Sequence, residues 1–245
     1  MTIQLLDTVG STNDLAMKAA PSAKHGDTWV AEHQTAGRGR REIGGDRRQW
    51  FSPPGVSLYM SVLLKPAIEP AEAAGITLAA GVGVCEALSG VPGLWLKWPN
   101  DIFIGTKKVG GLLTEASTQA GSIESIVVGL GLNVNVQAQH IPKDLEAIMT
   151  SLAIETGQPL DRLGLVHRIH ASLIKWSERY IAAGFDGIED GIKKWDKSAG
   201  RRVQVIDPSK SREGVAKGIK DGSLLVRFDD GDEALVFAGE VKLIP

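Results

Sequence analysis

Residues 94–134 read LWLKWPNDIFIGTKKVGGLLTEASTQAGSIESIVVGLGLNV, and this stretch decides the fold class. Its apolar runs span 94–104, 109–116 and 123–134, and the segments Gly105-Thr106 and Gln119-Ala120-Gly121-Ser122 separate them as short turns. Short turns join antiparallel neighbours, because a parallel pair needs a long crossover connection. The stretch therefore predicts three antiparallel strands of one sheet.

Lys97 interrupts the first of these runs. Strand alternation places its side chain on the face opposite Leu96 and Trp98, so the ammonium group is predicted to point into a cleft. Pro99 cannot donate to a sheet ladder, so the strand is expected to reach an edge, an end or a bulge at this point. A surface cation lying over tryptophan rings is the alternative that these residues leave open.

The segments on either side predict an α+β fold. Before residue 94, the predicted elements are a helix over 11–20, strands over 28–32 and 56–64, and a buried helix over 72–88. Ser11 followed by Asp14 is typical of a capping box at the start of the first helix. Alternation in 56–64 places Leu58, Met60, Val62 and Leu64 on one face, as in a strand.

The C-terminal part changes from helices to short strands. Residues 144–182 predict two helices with a break near 157–159, and the helical spacing of the second indicates a core stripe. After Ser198-Ala199-Gly200, five short strands with Asp-Gly turns at 221–222 and 230–231 predict a small β-barrel. The predicted architecture is therefore a mixed, largely antiparallel sheet with helices in domain 1–198, followed by a barrel domain, 199–245.

Composition restricts the class of protein. The 245 residues carry a formal net charge of −2, so any anion site must be local rather than part of a basic surface for nucleic acid. The single cysteine, Cys85, excludes an internal disulfide framework. We find no secretory signal and no apolar run of the roughly 20 residues needed to span a bilayer, which predicts a cytoplasmic protein. His167 and His170 lack nearby metal ligands and are not predicted to bind a metal.

The stretch Gln34-Thr35-Ala36-Gly37-Arg38-Gly39-Arg40-Arg41 is a candidate anion site. Small residues and guanidinium groups alternate there, so accessible backbone N–H groups and permanent positive charge occur together. Such a combination suits a phosphate or a carboxylate. From these residues alone, an exposed basic loop is an equally good interpretation.

The stretch Gly129-Leu130-Gly131-Leu132-Asn133 begins like a dinucleotide-binding fingerprint. The third glycine is missing and the neighbouring strands are predicted to be antiparallel, which excludes that interpretation. The sequence also lacks a Gly-x-x-x-x-Gly-Lys-Ser/Thr phosphate loop. A nucleotide would therefore have to bind in another way, and the two glycines are expected to allow close approach to the sheet.

Six segments, taken in order along the chain, resemble the catalytic domain of biotin protein ligases. They are Ser11-Thr12-Asn13, Gln34-x-Ala36-Gly37-Arg38-Gly39-Arg40-Arg41, Trp50-Phe51-Ser52-Pro53-x-Gly55, Lys97-Trp98-Pro99-Asn100-Asp101, Lys108-x-Gly110-Gly111 and Gly129-x-Gly131-x-Asn133. The ordered set is far more specific than any one segment. The resemblance implies the α+β fold of biotin and lipoate ligases.

The resemblance also implies a two-step reaction. Biotin and Mg-ATP would give biotinyl-5′-adenylate, and one lysine of a biotin carboxyl carrier protein would then take the biotinyl group. By this likeness, the catalytic residues would be Lys97, Arg38 and Arg40. The biotin-binding residues would be Ser11, Thr12, Asn13, Gln34, Gly37, Arg38, Gly39, Arg40, Lys97, Gly110 and Gly111. The nucleotide-binding residues would be Arg38, Arg40, Trp50, Lys97 and Asn133. Mg²⁺ is expected with ATP, but no residue is assigned to it, and Asp101 is a candidate base.

Two departures from the family pattern bear on these expectations. Residues 42–49 form a longer connection than the family usually has, so ligand contacts beyond Arg41 are not carried over, although a longer loop costs little free energy. The ligase segments begin near residue 1, so a monofunctional enzyme is expected, with neither a DNA-binding role nor a membrane partner. The sequence leaves open whether the chain forms a homodimer.

Two rival functions remain at this stage. A lipoate–protein ligase shares the fold and the chemistry, but the segments around Arg38 and Lys97 favour biotin. A noncatalytic biotin-binding module would bind biotin without releasing pyrophosphate, and the complete set of cationic positions argues against it.

Overall fold

The computed structural model describes residues 1–41, 47–207 and 210–244 of the chain. Its first nine strands are β1 (Ile3–Val9), β2 (Thr28–Gln34), β3 (Arg38–Arg41), β4 (Arg47–Gln49), β5 (Leu58–Leu64), β6 (Leu94–Lys97), β7 (Asp101–Ile104), β8 (Lys107–Gln119) and β9 (Ser122–Leu132). Seven of them form one sheet in the order β1-β2-β5-β9-β8-β7-β6, whereas β3 and β4 pair as a separate hairpin. β1 and β2 are parallel and the other pairs are antiparallel, which confirms a mixed, largely antiparallel sheet.

Helices cover both faces of this sheet. They are α1 (Thr12–Ala19), α2 (Ala73–Ala87), α3 (Leu152–Thr156), α4 (Arg162–Ala183) and α5 (Glu189–Trp195). The alternation predicted for 56–64 is confirmed, because Leu58, Met60, Val62 and Leu64 all lie in the main core with α2 and α4. α2 and α4 pack closely at Gly83, where a Cβ atom would lie 2.8 Å from the Cα atom of Leu173. α1 lies on the opposite face, where Ala16 packs with Leu63 and Val127.

The run 94–104 is a hairpin rather than the single strand that was predicted. β6 and β7 pair antiparallel with Lys97 opposite Asp101, and the residues 98–100 form the turn between them. Pro99 has no N–H group for the ladder, which is a physical reason for the strand to stop there. The other two strands of the predicted set are confirmed as β8 and β9.

The predicted capping box at the start of α1 is wrong. Ser11 occupies the N-cap position but makes no side-chain hydrogen bond to the helix. The Asp14 carboxylate instead binds Arg38, with an Nη2–Oδ1 distance of 2.6 Å. A tertiary ion pair has therefore replaced the local contact that the spacing suggested.

The C-terminal strands form a second sheet. They are β10 (Arg202–Ile206), β11 (Ser211–Lys220), β12 (Ser223–Phe228), β13 (Glu233–Val236) and β14 (Glu240–Leu243). The pairing is antiparallel throughout, in the order β13-β12-β11-β10-β14. The five predicted strands are confirmed. The predicted barrel is not closed: among the described residues, the edge strands β13 and β14 do not pair with each other, so the strands form an open sheet. Asp221 and Gly222, with φ values of 49° and 80°, form the β11–β12 turn as the sequence predicted.

The second sheet touches the β6–β7 turn. The indole Nε1–H of Trp98 donates to the backbone oxygen of Gly222 at 3.0 Å. Asp196, just after α5, forms a β-bridge to Leu96 and accepts a hydrogen bond from Ile219 N at 2.9 Å. The C-terminal sheet is thereby fastened to the residues next to Lys97.

The remaining sequence expectations concern membrane-spanning segments, metal sites and the inserted loop 42–49. Among the described residues, no helix is long and apolar enough to cross a membrane, and no three His, Cys, Asp or Glu side chains are grouped to hold a metal ion. His170 Nε2 lies 3.0 Å from the backbone oxygen of Gly26. Most of the predicted inserted loop, residues 42–46, lies outside the described residues.

Candidate active site

One row of paired residues crosses the face of the large sheet opposite the main core. Strand register aligns Tyr59, Gly131, Gly111, Asp101 and Lys97 from β5 to β6. Residues paired in register share a face, so these five positions point to the same side of the sheet. The prediction that Lys97 points away from Leu96 is confirmed, because Leu96 lies in the main core.

A β-bulge brings a second lysine to this face. The register between β7 and β8 shifts after the Ile102–Gly110 pair, so that Phe103 pairs with Lys108. In a regular strand, Lys108 and Gly111 would point to opposite faces, because they are three residues apart. The unpaired extra residue Val109 shifts the alternation, so Lys108 lies on the same face as Asp101. Lys108 belongs to one of the six sequence motifs, but strand alternation alone does not reveal a bulge and therefore gave this lysine no role.

Asp101 lies between the two ammonium groups. Its Oδ2 atom is 3.6 Å from Lys97 Nζ, and its Oδ1 atom accepts a hydrogen bond from Lys108 Nζ. Burial raises the pKa of the Asp101 carboxyl, but the neighbouring ammonium groups outweigh burial and leave the pKa below its usual value. Asp101 is therefore held as a carboxylate and is a weaker proton acceptor than an ordinary aspartate.

Lys97 is more strongly buried than Lys108. The exposed fractions of their side chains are 9% and 31%. Burial lowers the pKa of Lys97, and attraction to Asp101 only partly offsets that effect. Two ammonium groups against one carboxylate leave an excess of positive charge in a poorly solvated place, which favours an anionic ligand.

Glycines leave room for other groups above the row. A Cβ atom on Gly131 would lie 2.6 Å from the ring of Trp50, and one on Gly111 would lie 3.4 Å from the same ring. Lys108 Nζ lies 5.2 Å from the centroid of that ring. Trp50 therefore packs directly on the glycine floor beside the lysines. Gly110, by contrast, faces Leu132 and the core side.

Two buried polar atoms near this floor lack hydrogen-bond partners among the described residues. They are Trp50 Nε1 and Asn133 Oδ1. Asn133 is only 2% exposed, and its Nδ2 donates to Thr150 O at 3.1 Å. A buried donor and a buried acceptor left unpaired are costly unless a ligand or water satisfies them.

A polar cluster lies one row along the same face. Ser61 pairs in register with Gly129, and a Cβ atom on Gly129 would lie 2.1 Å from Asn13 Oδ1. Thr12 N and Thr12 Oγ1 lie 2.8 and 3.1 Å from Gln34 Oε1. Same-face positions on a strand are roughly 7 Å apart, so the polar cluster and the lysine cluster adjoin each other. Ser11, 4% exposed, precedes this cluster directly in the chain.

Arg38 is engaged by two carboxylates. Its Nη2 atom is 2.6 Å from Asp14 Oδ1 and 2.9 Å from Glu115 Oε2. The hydrogen bond to Asp14 raises the pKa of Arg38, and although burial lowers it, both carboxylates keep the net shift upward. These contacts engage both terminal nitrogens of the guanidinium, and the catalytic role of Arg38 stays a prediction.

Arg40 lies nearer the lysine cluster. Its Nη1 atom donates to Asn100 Oδ1 at 3.3 Å, and Asn100 lies in the turn after Lys97. Arg40 belongs to strand β3, which pairs with β4. At the start of this hairpin, a Cβ atom on Gly37 would lie 2.8 Å from Ser52 Oγ, which brings the 50–55 segment against it; Gly39 lies within β3.

The structure therefore brings together a polar cluster, a cationic cluster and an indole floor on one sheet face. Of the predicted residues, Thr12, Gln34, Arg40, Trp50, Lys97, Gly111 and Asn133 line or adjoin it. Such a site can bind one extended ligand, or two adjacent ones, with a polar head group, an anionic centre and a flat ring side by side. It offers charge neutralisation and positioning rather than a side-chain nucleophile.

Comparisons with known proteins agree with this arrangement. A model of the biotin/lipoate A/B protein ligase family matches residues 5–133. The bifunctional ligase/repressor BirA of Bacillus spizizenii is 32% identical over 241 residues, covering 97% of this chain and 72% of that protein. The biotin–[acetyl-CoA-carboxylase] ligase of Paracoccus denitrificans is 27% identical, with 97% and 98% covered. A structure of biotin protein ligase from Aquifex aeolicus in complex with biotin and ATP matches with a TM-score of 0.81 and 27% identity, covering 99% of this chain and 98% of that chain.

Proposed function

The chain belongs to the biotin/lipoate A/B protein ligase family, and from that premise we propose that it is a biotin–protein ligase. It activates biotin with ATP as biotinyl-5′-adenylate and transfers the biotinyl group to a lysine of a carrier protein. The observation that supports this most is the row Tyr59–Gly131–Gly111–Asp101–Lys97, with the Thr12–Gln34 cluster one row away. The polar ring of biotin, its carboxylate and the nucleotide would therefore bind next to one another on this face of the sheet.

The polar cluster suits the ring end of biotin. A cyclic urea has N–H donors and a carbonyl acceptor, and Thr12 and Gln34 offer complementary atoms. Gly37, just before β3, and Gly39, within it, let the backbone close over the ring, with Ser11 at its edge. A dithiolane ring has no hydrogen-bond donor, so the same cluster favours biotin over lipoate.

The lysine cluster suits the activation step. A carboxylate approaching a phosphate about 4 Å away meets a repulsion of roughly 1 kcal/mol in water and about 4 kcal/mol at an effective dielectric of 20. Lys97 and Lys108 offset that repulsion from the sheet, and Arg40 does so from the hairpin. Their charges also stabilise the charge that develops on the phosphate as pyrophosphate leaves.

The adenosine part is placed at the indole floor. Asn133 Oδ1 is buried and has no partner among the described residues, so it can accept a hydrogen bond from the amino group of an adenine ring. Trp50 provides a flat apolar surface over Gly131. Both are among the nucleotide-binding residues that the family resemblance implies.

Mg²⁺ fits as a partner of the ATP phosphates. Within the described ranges there is no three-membered group of His, Cys, Asp or Glu, and the Asp101 carboxylate is already occupied by two lysines. Mg²⁺ commonly keeps several waters and binds substrate phosphates rather than a protein cage. When bound, the metal would neutralise phosphate charge that the lysines do not reach.

The transfer step requires a neutral amine on the carrier. We place a biotin carboxyl carrier domain of a carboxylase at the open side of the same face. Asp101 is a poor base for that amine, because two ammonium groups lower its pKa. Its role in this proposal is to hold Lys97 and Lys108 in position. We assign catalysis to 1–198, and the C-terminal part, 199–245, to support of the 98–100 turn.

Biotin-dependent exchange of labelled pyrophosphate into ATP tests this function. The account predicts exchange with biotin and little with lipoate at the same concentration. Exchange with lipoate alone would identify a lipoate ligase. Biotin binding without exchange would identify a noncatalytic biotin-binding module.

A further inference from the structure

A chain of buried hydrogen bonds runs beneath the polar cluster. Ser61 Oγ lies 2.7 Å from Thr12 Oγ1 and 2.6 Å from Asn13 Oδ1. Asn13 Nδ2 then donates to Glu115 Oε2 at 2.8 Å. Ser61 is fully buried, and Thr12 and Asn13 are 3% and 4% exposed, so water does not compete with these contacts.

The proton positions follow from which atoms can donate. Asn13 Nδ2 has two acceptor-only neighbours, Glu115 Oε2 and Leu113 O, the latter at 3.2 Å, so Asn13 Oδ1 must face Ser61. An amide oxygen only accepts, and Ser61 therefore uses its single proton on Asn13. The remaining contact of Ser61 can form only if Thr12 donates its own proton to Ser61 Oγ.

The direction of the hydrogen bond from Thr12 to Ser61 decides which donors and acceptors the polar cluster offers to a ligand. With its proton on Ser61, Thr12 Oγ1 has none left for Gln34 Oε1, 3.1 Å away, so towards a ligand it can only accept a hydrogen bond. Gln34 Oε1 is occupied by Thr12 N at 2.8 Å, which leaves the Nε2 hydrogens of Gln34 as donors. An acceptor beside a donor matches the N–H and C=O groups of a cyclic urea.

We propose that Ser61, backed by Asn13 and Glu115, is a positioning residue that fixes Thr12 as an acceptor for a ureido N–H group. This inference rests on the proposed function, because it concerns the ring of biotin. Asn13 then acts behind the site rather than as a direct biotin ligand. Arg38 binds Glu115 at 2.9 Å and thereby holds the last residue of this series of hydrogen bonds in position.

Substitution of Ser61 by alanine tests the proposal in the full-length protein. Ser61→Ala removes the acceptor for the Thr12 proton and leaves Asn13 Oδ1 unpaired. We expect KM for biotin to rise about tenfold, the usual scale for one lost hydrogen bond that leaves a buried group unsatisfied. The kcat value and KM for ATP in pyrophosphate exchange should change less than about twofold.

Ser125→Ala is the matched control. Ser125 is also fully buried in the same sheet, on β9, but its Oγ atom has no partner among the described residues. This variant should keep the wild-type KM for biotin. Thermal melting of both variants shows whether either loses its fold.

A double substitution identifies the route of the effect. Thr12→Val removes the hydroxyl group that Ser61 orients, so adding Ser61→Ala to it should raise KM for biotin no further. Two results would overturn the proposal. One is an equal KM for biotin in Ser61→Ala and Ser125→Ala; the other is a double variant whose KM for biotin rises by the product of the factors seen for Thr12→Val and Ser61→Ala alone. A wild-type protein that exchanges no pyrophosphate with biotin would instead overturn the proposed function.

Discussion

Lys97 combines burial with a nearby carboxylate, and this makes its charge unusually sensitive to pH. Burial lowers its pKa below that of an ordinary lysine, while Asp101 only partly opposes that shift. Lys97 is therefore a cation below its lowered pKa and neutral above it. Because the neutral amine cannot offset carboxylate–phosphate repulsion, adenylation should fall on the alkaline side before an ordinary lysine would titrate.

The pH profile of biotin-dependent pyrophosphate exchange measures this effect. Lys97→Arg keeps a cation that does not titrate in this range, so its alkaline limb should move to higher pH even if its maximal rate is lower. An unchanged limb in Lys97→Arg would show that another group sets it.

Asn133 provides a second prediction at this scale. Asn133→Ala removes the unpaired Oδ1 atom, and we expect KM for ATP to rise about tenfold with little change in KM for biotin. Asn135→Ala is the matched control, because the Asn135 amide is already paired with the backbone of Leu160 in both directions. That control should lower the melting temperature without changing KM for ATP; equal KM values in both variants would contradict the adenine assignment.

The family resemblance pointed to some of these positions and missed the contacts of others. Lys97, Asn133 and Trp50 were found from their motifs, and the structure places them on one face. The paired state of Arg38 was not predictable, because Asp14 and Glu115 are distant in sequence and only tertiary folding brings them to it.

The hairpin β3–β4 is the element that brings Arg40 to Asn100, in the turn after Lys97. Arg40→Gly removes the guanidinium and its contact with Asn100, and adds backbone freedom to β3. We expect the off-rate of biotinyl-adenylate to rise by about tenfold or more, while the melting temperature changes little.

A chase of labelled adenylate with unlabelled biotin and ATP measures that off-rate. Arg40→Lys should lie between the wild type and Arg40→Gly, since it keeps the charge but loses the planar fork. An off-rate equal to that of the wild type in Arg40→Gly would show that the hairpin does not retain the intermediate.

Elements defined by alternation were predicted well, and irregular ones were not. The strand patterns in 56–64 and 123–134 and the apolar helix at 72–88 became β5, β9 and α2. β1 was not predicted, because its residues are largely exposed and its sequence therefore shows no alternation of apolar and polar residues typical of a buried strand. The β7–β8 bulge that turns Lys108 toward Asp101 depends on strand register, which no local pattern specifies.

At the scale of the molecule, the two sheets meet at the turn that follows Lys97. The indole of Trp98 is buried in the core and hydrogen-bonds Gly222, so the second sheet supports that turn directly. The sequence predicted the second group of strands from its Asp-Gly turns. It could not predict this contact, because 124 positions separate the two residues.

The central claim is that one sheet face activates biotin and delivers it to a carrier. Intact-mass measurement of a purified biotin carboxyl carrier domain, incubated with the protein, biotin and Mg-ATP, tests it most directly. The account predicts one biotinyl group on one carrier lysine with the wild-type protein, and none with a folded Lys97→Ala variant. A carrier left unmodified by the wild type, or modified equally by Lys97→Ala, would contradict it.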